Sequence, residues 1–231
     1  MGQSLRIFGP DGSFTAYLSR PAVPRAPAVV VLQEIFGVNA DLRATCDELA
    51  AQGFLALAPE LFWRDAPGLD LSDASDSDWK RGIALYTAYD FDRGVCDVAA
   101  AIAAARDLAG ANGKAGVMGF CLGGLMAFLA ATRIDVDAAV AYYGGQTEKY
   151  VDETTALRAP LLMHLAGEDE YMTPDAQAWI RASLAGRPHV QIHGYPGCAH
   201  AFARHGGAHY EAAAAALANA RTFAFLHTQL D

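Results

Sequence analysis

A cysteine flanked by glycines is the strongest chemical signal in this 231-residue sequence. Cys121 is the central residue of a Gly-Phe-Cys-Leu-Gly pattern that follows an apolar run and opens a helical pattern. Such spacing predicts a sharp strand-to-helix turn that presents a nucleophile. A helix N-terminus favours a thiolate, and the N–H of Leu122 is free to face a developing oxyanion. The alternative is a buried cysteine beside glycines that only permit tight packing.

Candidate partners of the thiol follow it in the order acid, then histidine, as in an α/β-hydrolase. The apolar run Leu161–Leu165 leads into a polar turn, where either Glu168 or Asp169 could present a carboxylate. His200 lies between a predicted strand and the last predicted helix, which is where the general base belongs. The remaining histidines are expected in surface or packing positions.

Glu34 ends the apolar run Pro27–Gln33, where an ionised side chain is costly unless it is paired. Two interpretations stay open. Glu34 is either an edge carboxylate hydrogen-bonded to nearby backbone or a second acid–base group near the thiol, and its spacing does not choose between them.

Apolar runs alternate with helical patterns along the chain. Two segments of alternating polarity, Ser4–Phe8 and Ser13–Leu18, flank a Gly-Pro-Asp-Gly turn and predict an antiparallel hairpin. The further predicted strands are Pro27–Gln33, Phe54–Ala58, Ala115–Met118, Asp137–Ala141, Pro160–Leu165 and Val190–His193, and the predicted helices are Asp41–Gln52, Asp92–Ala109, Leu122–Thr132, Pro174–Leu184 and Tyr210–Leu226. This order predicts an α/β fold with a mostly parallel central sheet and helices on both faces. We expect one domain, residues 1–231.

The acidic, serine-rich segment Leu69–Trp79 is predicted to be a solvated surface loop. The alternative is a mobile cover over a site. Its composition favours the loop.

Charge and composition exclude several classes of partner. Lys and Arg total 17 against 26 Asp and Glu, a net charge of −9, which argues against nucleic acids and anionic membranes. No apolar run approaches the ~20 residues of a membrane helix, and the first residues lack a signal-peptide pattern. The four cysteines show no framework spacing, which is typical of reduced cytoplasmic proteins. We expect a cytoplasmic monomer.

No metal or cofactor is expected. His200, His205 and His209 lie close in sequence, but no Cys, Asp or Glu with supporting spacing accompanies them.

Four motifs together resemble the dienelactone hydrolase family, also called carboxymethylenebutenolidases. They are QEIFGVNA at Gln33–Ala40, GFCLGG at Gly119–Gly124, AVAYYG at Ala139–Gly144 and AHAFAR at Ala199–Arg204. The similarity covers essentially the whole chain, and QEIFGVNA is its most specific part. It implies an α/β-hydrolase fold and the hydrolysis of a small, unsaturated, anionic lactone through a cysteine nucleophile, as in the degradation of (chloro)aromatic compounds.

The resemblance also implies roles for particular residues. It implies a triad of Cys121, Asp169 and His200, and so prefers Asp169 to Glu168. It adds Glu34 to the catalytic group, exchanging a proton with the thiol when substrate binds. The implied oxyanion hole consists of the N–H groups of Leu122 and Ile35. The implied substrate-binding residues are Arg204, which would hold the substrate carboxylate, Arg81, Phe36 and Tyr143.

Three positions depart from the family pattern. Trp79 stands where the family has an arginine, with Arg81 a replacement from a shifted register, Ile83 stands in place of a tyrosine, and Ala201 in place of a serine. These changes leave the predicted chemistry intact and bear on the substrate. The alternative functions are a broader carboxylesterase or thioesterase, and a non-catalytic protein in which Cys121 is a redox-sensing thiol.

Overall fold

The computed structural model describes residues 2–231, which contain one eight-stranded sheet flanked by helices. The strands are β1 (Gln3–Gly9), β2 (Gly12–Ser19), β3 (Ala26–Leu32), β4 (Leu55–Pro59), β5 (Ala111–Phe120), β6 (Ala138–Tyr142), β7 (Leu161–Glu168) and β8 (Val190–Ala199). The helices are α1 (Ala40–Ala51), α2 (Asp76–Ala88), α3 (Phe91–Arg106), α4 (Leu122–Arg133), α5 (Pro174–Leu184) and α6 (Ala212–Leu230), and a 3₁₀ helix covers Thr147–Ala156.

The strand order is β1-β2-β4-β3-β5-β6-β7-β8. The first two strands form the predicted antiparallel hairpin, and β2 is antiparallel to β4. All further neighbours pair in parallel. The predicted fold class is therefore confirmed.

Both faces of the sheet are covered, because its central strands are apolar on both sides. Every residue of β3, β4 and β6 is buried, as expected for parallel strands between two helical layers. Helices α1 and α6 pack on one face, whereas α3 and α4 pack on the other. Within residues 2–231, no helix combines the length and the apolarity needed to cross a bilayer.

The prediction that Leu69–Trp79 forms a solvated surface loop is wrong. Leu69 and Leu71 are buried, and helix α2 begins inside the segment at Asp76. Ser75 caps this helix, since its hydroxyl accepts a hydrogen bond from the Asp78 N–H. Two leucine anchors and a capped helix outweigh the acidic composition.

The parallel strands bring the candidate residues to one edge of the sheet. Cys121 directly follows β5, Asp169 follows β7 and His200 follows β8, while Glu34 lies two residues beyond β3. In open α/β sheets, sites form beyond the carboxyl ends of the strands.

Candidate active site

Cys121 lies on a tight turn between β5 and α4, as predicted. Its backbone has φ 53° and ψ −111°, an unusual conformation for a residue with a side chain. A Cβ on Gly119 would lie 2.2 Å from the Gly123 carbonyl oxygen, and one on Gly123 would lie 2.2 Å from that of Leu32. Both glycines are therefore required by the close approach of strand and helix. Conformations of this kind cost about 1–3 kcal/mol and persist where the surroundings enforce them.

Backbone donors gather beside the thiol. Leu122 is the first residue of α4, so its N–H has no partner within the helix. The Gly123 N–H donates to the Gln33 carbonyl at 3.0 Å, which ties the segment after β3 to the first turn of α4. Ile35 consequently lines the same cavity as Cys121.

His200 and Asp169 form a buried pair. His200 Nδ1 lies 3.0 Å from both carboxylate oxygens of Asp169. The Tyr171 N–H donates to Asp169 Oδ1 at 2.9 Å and helps to hold the carboxylate in place. Glu168, the other candidate from the sequence, is exposed.

Aromatic rings enclose the imidazole and leave its second nitrogen available. Tyr143 and Tyr171 meet the His200 ring edge to face, with centroids 5.1 and 4.7 Å away. His200 Nε2 is buried without a hydrogen-bond partner. Burial opposes the charged imidazole, but the negative charges of Cys121 and Asp169 outweigh it and raise the pKa of His200 to about 10. The site thus favours a protonated imidazole at neutral pH.

Glu34 pairs with a side chain rather than with nearby backbone. Arg204 Nε donates to Glu34 Oε2 at 2.5 Å, while Glu34 Oε1 is buried without a partner. Arg204 Nη1 donates to Asp73 Oδ2 at 3.1 Å. Burial opposes the charge of Arg204, but Glu34 raises the pKa of the guanidinium above its usual range.

Two aromatic rings support the Arg204 guanidinium. Its central carbon lies 4.8 Å from the ring centroid of Phe36 and 5.9 Å from that of Trp79. Phe36 and Trp79 pack edge to face at 5.0 Å. A planar cation with aromatic faces and two carboxylates around it has little freedom to reorient.

These groups surround a cavity of about 300 Å³. Its lining residues are Glu34, Ile35, Trp79, Ile83, Tyr86, Thr87, Cys121, Gly145, Gln146, Tyr171, His200 and Arg204. A cavity of this volume is at the small end of ligand sites, which commonly measure about 300–1,000 Å³. It suits a small organic substrate.

Three predicted substrate-binding residues lie outside this lining. Arg81 is exposed on α2 and does not reach the cavity. Phe36 is buried under Arg204, and Tyr143 is buried behind His200. In this structure Phe36 packs against Arg204 and Tyr143 packs against His200, each from behind.

Helix α2 supplies a wall that the motifs did not reveal. Trp79, Ile83, Tyr86 and Thr87 line the cavity from this helix. Gly82 allows the approach, since a Cβ there would lie 2.8 Å from the Ile35 carbonyl oxygen. The available signal was the Ser-x-x-Asp spacing at Ser75, a helix N-terminal pattern.

Two polar side chains of the cavity lining, Gln146 and Tyr86, are hydrogen-bonded to each other. Gln146 Nε2 donates to the Tyr86 hydroxyl, and Lys149 Nζ donates to Gln146 Oε1 at 2.9 Å. Burial and the negative charge of Cys121 raise the pKa of Tyr86 to about 12, so this hydroxyl stays neutral. Across residues 2–231, no group of three or more His, Cys, Asp or Glu is arranged to hold a metal ion.

A cysteine elbow on a mostly parallel sheet, with a His–Asp pair at its carboxyl edge, defines the class of this protein as an α/β-hydrolase. The family model described as the dienelactone hydrolase family matches residues 14–230. The chain belongs to the dienelactone hydrolase family and is a hydrolase. This finding confirms the family resemblance that the four motifs carried.

Curated relatives match almost the whole chain. A carboxymethylenebutenolidase of Pseudomonas putida is 40% identical over 225 residues, which cover 97% of this chain and 95% of that protein. Carboxymethylenebutenolidase 1 of Cupriavidus pinatubonensis is 37% identical over 215 residues, covering 93% and 92%. The crystal structure of dienelactone hydrolase from Anabaena variabilis has a TM-score of 0.72 and 16% identity, covering 100% of this chain and 99% of that one. This last likeness supports the fold alone.

Proposed function

We propose that this chain hydrolyses small, unsaturated, anionic lactones by acyl transfer to Cys121. The observation that carries the proposal is the juxtaposition of Cys121, the His200–Asp169 pair and Arg204 around one cavity. Arg204 is the only Lys or Arg among the lining residues that the structure describes. The names of the curated relatives agree with this substrate class.

The first half of the reaction forms a thioester. The Cys121 thiolate attacks the lactone carbonyl carbon, and the carbonyl oxygen becomes an oxyanion that the N–H groups of Leu122 and Ile35 stabilise. The ring C–O bond then breaks and releases an enolate that stays attached to the acyl chain and takes the Nε2 proton of the His200 imidazolium, which leaves the imidazole neutral. Losing one such oxyanion donor typically costs ~2.7–4 kcal/mol.

The second half regenerates the Cys121 thiolate by hydrolysis of the thioester. His200 accepts a proton from a water molecule through Nε2, and the water oxygen attacks the thioester carbonyl. The C–S bond breaks, the thiolate leaves and the product carboxylic acid is released. Asp169 holds the imidazole throughout. Glu34, with one carboxylate oxygen unpaired, is proposed to exchange a proton with the thiol when substrate binds.

Leaving-group chemistry favours an unsaturated lactone over an ordinary ester. An enolate is a good leaving group, so the tetrahedral intermediate collapses forward. An alkoxide is poorer than a thiolate, so an ordinary ester would tend to expel Cys121 instead.

A broader esterase or thioesterase is the second candidate function. The α2 wall presents Trp79 and Ile83 to the cavity, and Arg204 is already paired with Glu34 and Asp73. This apolar, partly neutralised environment also suits uncharged acyl substrates.

We also infer that the enzyme acts in the cytoplasm as a monomer of one domain. All four cysteines are free, which suits a reducing compartment. Sedimentation velocity at micromolar concentration is expected to give one species of about the 24.5 kDa chain mass. A dimer would contradict the inference.

A substrate panel with trapping of the intermediate tests the proposed function. Wild type, Cys121→Ala and the control Cys96→Ala would be assayed with a carboxymethylene butenolide, a neutral aryl ester and a thioester. Cys96 is exposed on α3 and does not line the cavity. The expected result is preferred turnover of the butenolide, lost only in Cys121→Ala, with a Cys121-bound acyl mass after rapid quench.

Other outcomes of this panel contradict the proposal in distinct ways. Preference for the neutral ester or the thioester supports the second candidate function. Near-normal turnover by Cys121→Ala contradicts the cysteine mechanism. Inactivity on every compound, with reversible peroxide oxidation of Cys121, points to a redox-sensing thiol.

A further inference from the structure

Arg204, which lines the proposed substrate cavity, is shared by two carboxylates. Glu34 Oε2 lies 2.5 Å from Nε, and Asp73 Oδ2 lies 3.1 Å from Nη1. The side chains of Arg204 and Glu34 are both 9% exposed, whereas that of Asp73 is 26% exposed. One positive charge therefore faces two negative charges where solvent screening is weak.

Asp73 comes from the segment that precedes α2. The Trp79 indole N–H donates to the Asp73 carbonyl oxygen at 2.7 Å, and the Ser75 cap fixes the start of the helix two residues later. The Asp73 carboxylate is thus held against the guanidinium by the architecture of the segment. The contact between Asp73 and Arg204 is therefore set by the backbone of this segment.

The position of Asp73 faces a second, smaller cavity of about 150 Å³. Both cavities are lined by Trp79, Tyr171, His200 and Arg204. Asp73 therefore contacts the guanidinium from the smaller cavity, which shares His200 with the larger one. A substrate carboxylate that approaches the outer N–H groups of Arg204 meets Asp73 there.

We propose that Asp73 is a specificity-determining residue that competes with the substrate carboxylate for Arg204. The proposal rests on the proposed function, because it takes Arg204 as the anchor of an anionic substrate. A guanidinium N–H already bonded to a resident carboxylate must exchange partners before it binds another, and the resident charge repels the newcomer. Asp73 thereby weakens the binding of anionic lactones relative to neutral acyl substrates.

Burial decides which of the two carboxylates gives way. Glu34 is enclosed beside Tyr143 and Cys121, and it cannot reach solvent without opening the site. The Asp73 side chain is about three times as exposed as that of Glu34. An anionic substrate displaces Asp73 toward water and leaves the Glu34–Arg204 pair intact.

The test compares Asp73→Asn with a matched control from the same segment. Asn has the same shape and keeps one oxygen acceptor for Arg204, but it removes the charge. The control is Asp70→Asn, which makes the same change of net charge at a residue that is 52% exposed, pairs with Arg43 at 2.9 Å and lines neither cavity. Asp73→Ala, checked by thermal unfolding, separates loss of charge from loss of the acceptor.

Two readouts would be measured for each protein. The first is kcat/KM for a carboxymethylene butenolide divided by that for 4-nitrophenyl acetate. The second is the inhibition constant of maleate, a small dicarboxylate, against ester hydrolysis. We expect Asp73→Asn to raise the ratio about fivefold, through a lower KM for the butenolide, and to lower the maleate constant by a similar factor, as for loss of a partly exposed ion pair.

The outcomes separate this proposal from the proposed function. A ratio and a maleate constant that stay unchanged or move the other way in folded Asp73→Asn overturn the competition. Equal effects of Asp70→Asn also overturn it, because net charge alone then explains them. A wild type that does not open the butenolide contradicts the proposed function, while the maleate constants still decide the role of Asp73.

Discussion

His200 Nδ1 lies at the same distance, 3.0 Å, from both carboxylate oxygens of Asp169. This contact orients the imidazole, because Nδ1 donates to the carboxylate and Nε2 is left without a hydrogen-bond partner, free for the proposed role of general base. Asp169 is itself held by the Tyr171 N–H. The orientation of His200, the proposed base, is therefore set by Asp169 and, through it, by the Tyr171 backbone.

Replacing Asp169 by asparagine is expected to lower kcat by ~10²–10⁴-fold, as when the orienting carboxylate of a triad is lost. The amide permits the wrong tautomer of His200 and removes a charge that stabilises the imidazolium. Steady-state kinetics on the butenolide, with circular dichroism to confirm folding, measure the effect. Glu168→Gln is the matched control, since Glu168 is adjacent and exposed. An equal loss of kcat in Glu168→Gln would contradict the choice of Asp169 as the carboxylate that orients His200.

Two histidines with opposite pKa shifts should give the free energy of unfolding a pH-dependent profile. The pKa of His200 is raised to about 10, so its contribution is full below 6.5 and is lost as pH rises toward 10. Burial lowers the pKa of His164 well below its ordinary value of 6.5, so its contribution is lost as pH falls below 6.5. Together they predict that these two residues stabilise the fold most near pH 6.5.

Urea unfolding between pH 5 and pH 10 measures this profile. His164 is enclosed by the Tyr195 hydroxyl at 2.7 Å and the Thr222 hydroxyl at 3.0 Å, so His164→Gln tests the acid side. His200→Gln tests the alkaline side. Relative to wild type, His164→Gln should reduce the pH dependence of the free energy of unfolding only on the acid side, and His200→Gln only on the alkaline side. A variant that leaves the pH dependence on its side unchanged contradicts the assigned pKa shift.

A methyl group at Gly123 is expected to destabilise the fold. The added Cβ would lie 2.2 Å from the Leu32 carbonyl oxygen, a backbone atom that cannot rotate away. Overpacking of this kind costs about 1–3 kcal/mol or more. Chemical denaturation of Gly123→Ala measures the cost, and activity should fall with it. Gly9→Ala serves as control, since its Cβ would lie 3.4 Å from the Phe14 ring. An equal loss of stability in Gly9→Ala would contradict a special steric requirement for glycine at position 123.

Lysine at position 204 is expected to weaken binding of the anionic lactone, with a KM about tenfold higher, because one ammonium cannot reproduce the fork of a guanidinium. Arg204 engages Glu34 through Nε and Asp73 through Nη1. Kinetics of Arg204→Lys on the butenolide and on a neutral aryl ester measure the selectivity. Arg43→Lys, in an ion pair outside the cavity, is the control. Parallel losses on both substrates would indicate a structural role instead.

The reaction centre was predictable because its geometry is local. Gly119 and Gly123, placed between a strand and a helix pattern, favoured a tight turn at Cys121, and the parallel sheet carries Asp169 and His200 to the same edge. Each of these residues directly follows a strand. A strand pattern and a residue type were sufficient to place Cys121 and His200, whereas the choice of Asp169 over Glu168 needed the family resemblance.

The surroundings of the centre depend on long-range packing, and the sequence alone did not reveal them. Trp79 and Asp73 lie in an acidic segment whose composition suggests a solvated loop, and their contact with Arg204 spans more than a hundred positions of chain. Tyr143 belongs to a motif of the family but is fully buried behind His200. No local pattern distinguishes a residue that lines a cavity from one that supports it.

Gly82 is the point where the α2 wall meets the Ile35 backbone. Because the contact at that point is made by a residue without a side chain, other cavity-facing positions of the helix can change without moving the Ile35 backbone, the proposed oxyanion donor. A combinatorial library at Ile83, Tyr86 and Thr87, with Gly82 and Trp79 held constant, would therefore sample new substrates on an unaltered set of proposed catalytic residues. The same separation gives natural selection a route to divergent specificities within one lineage.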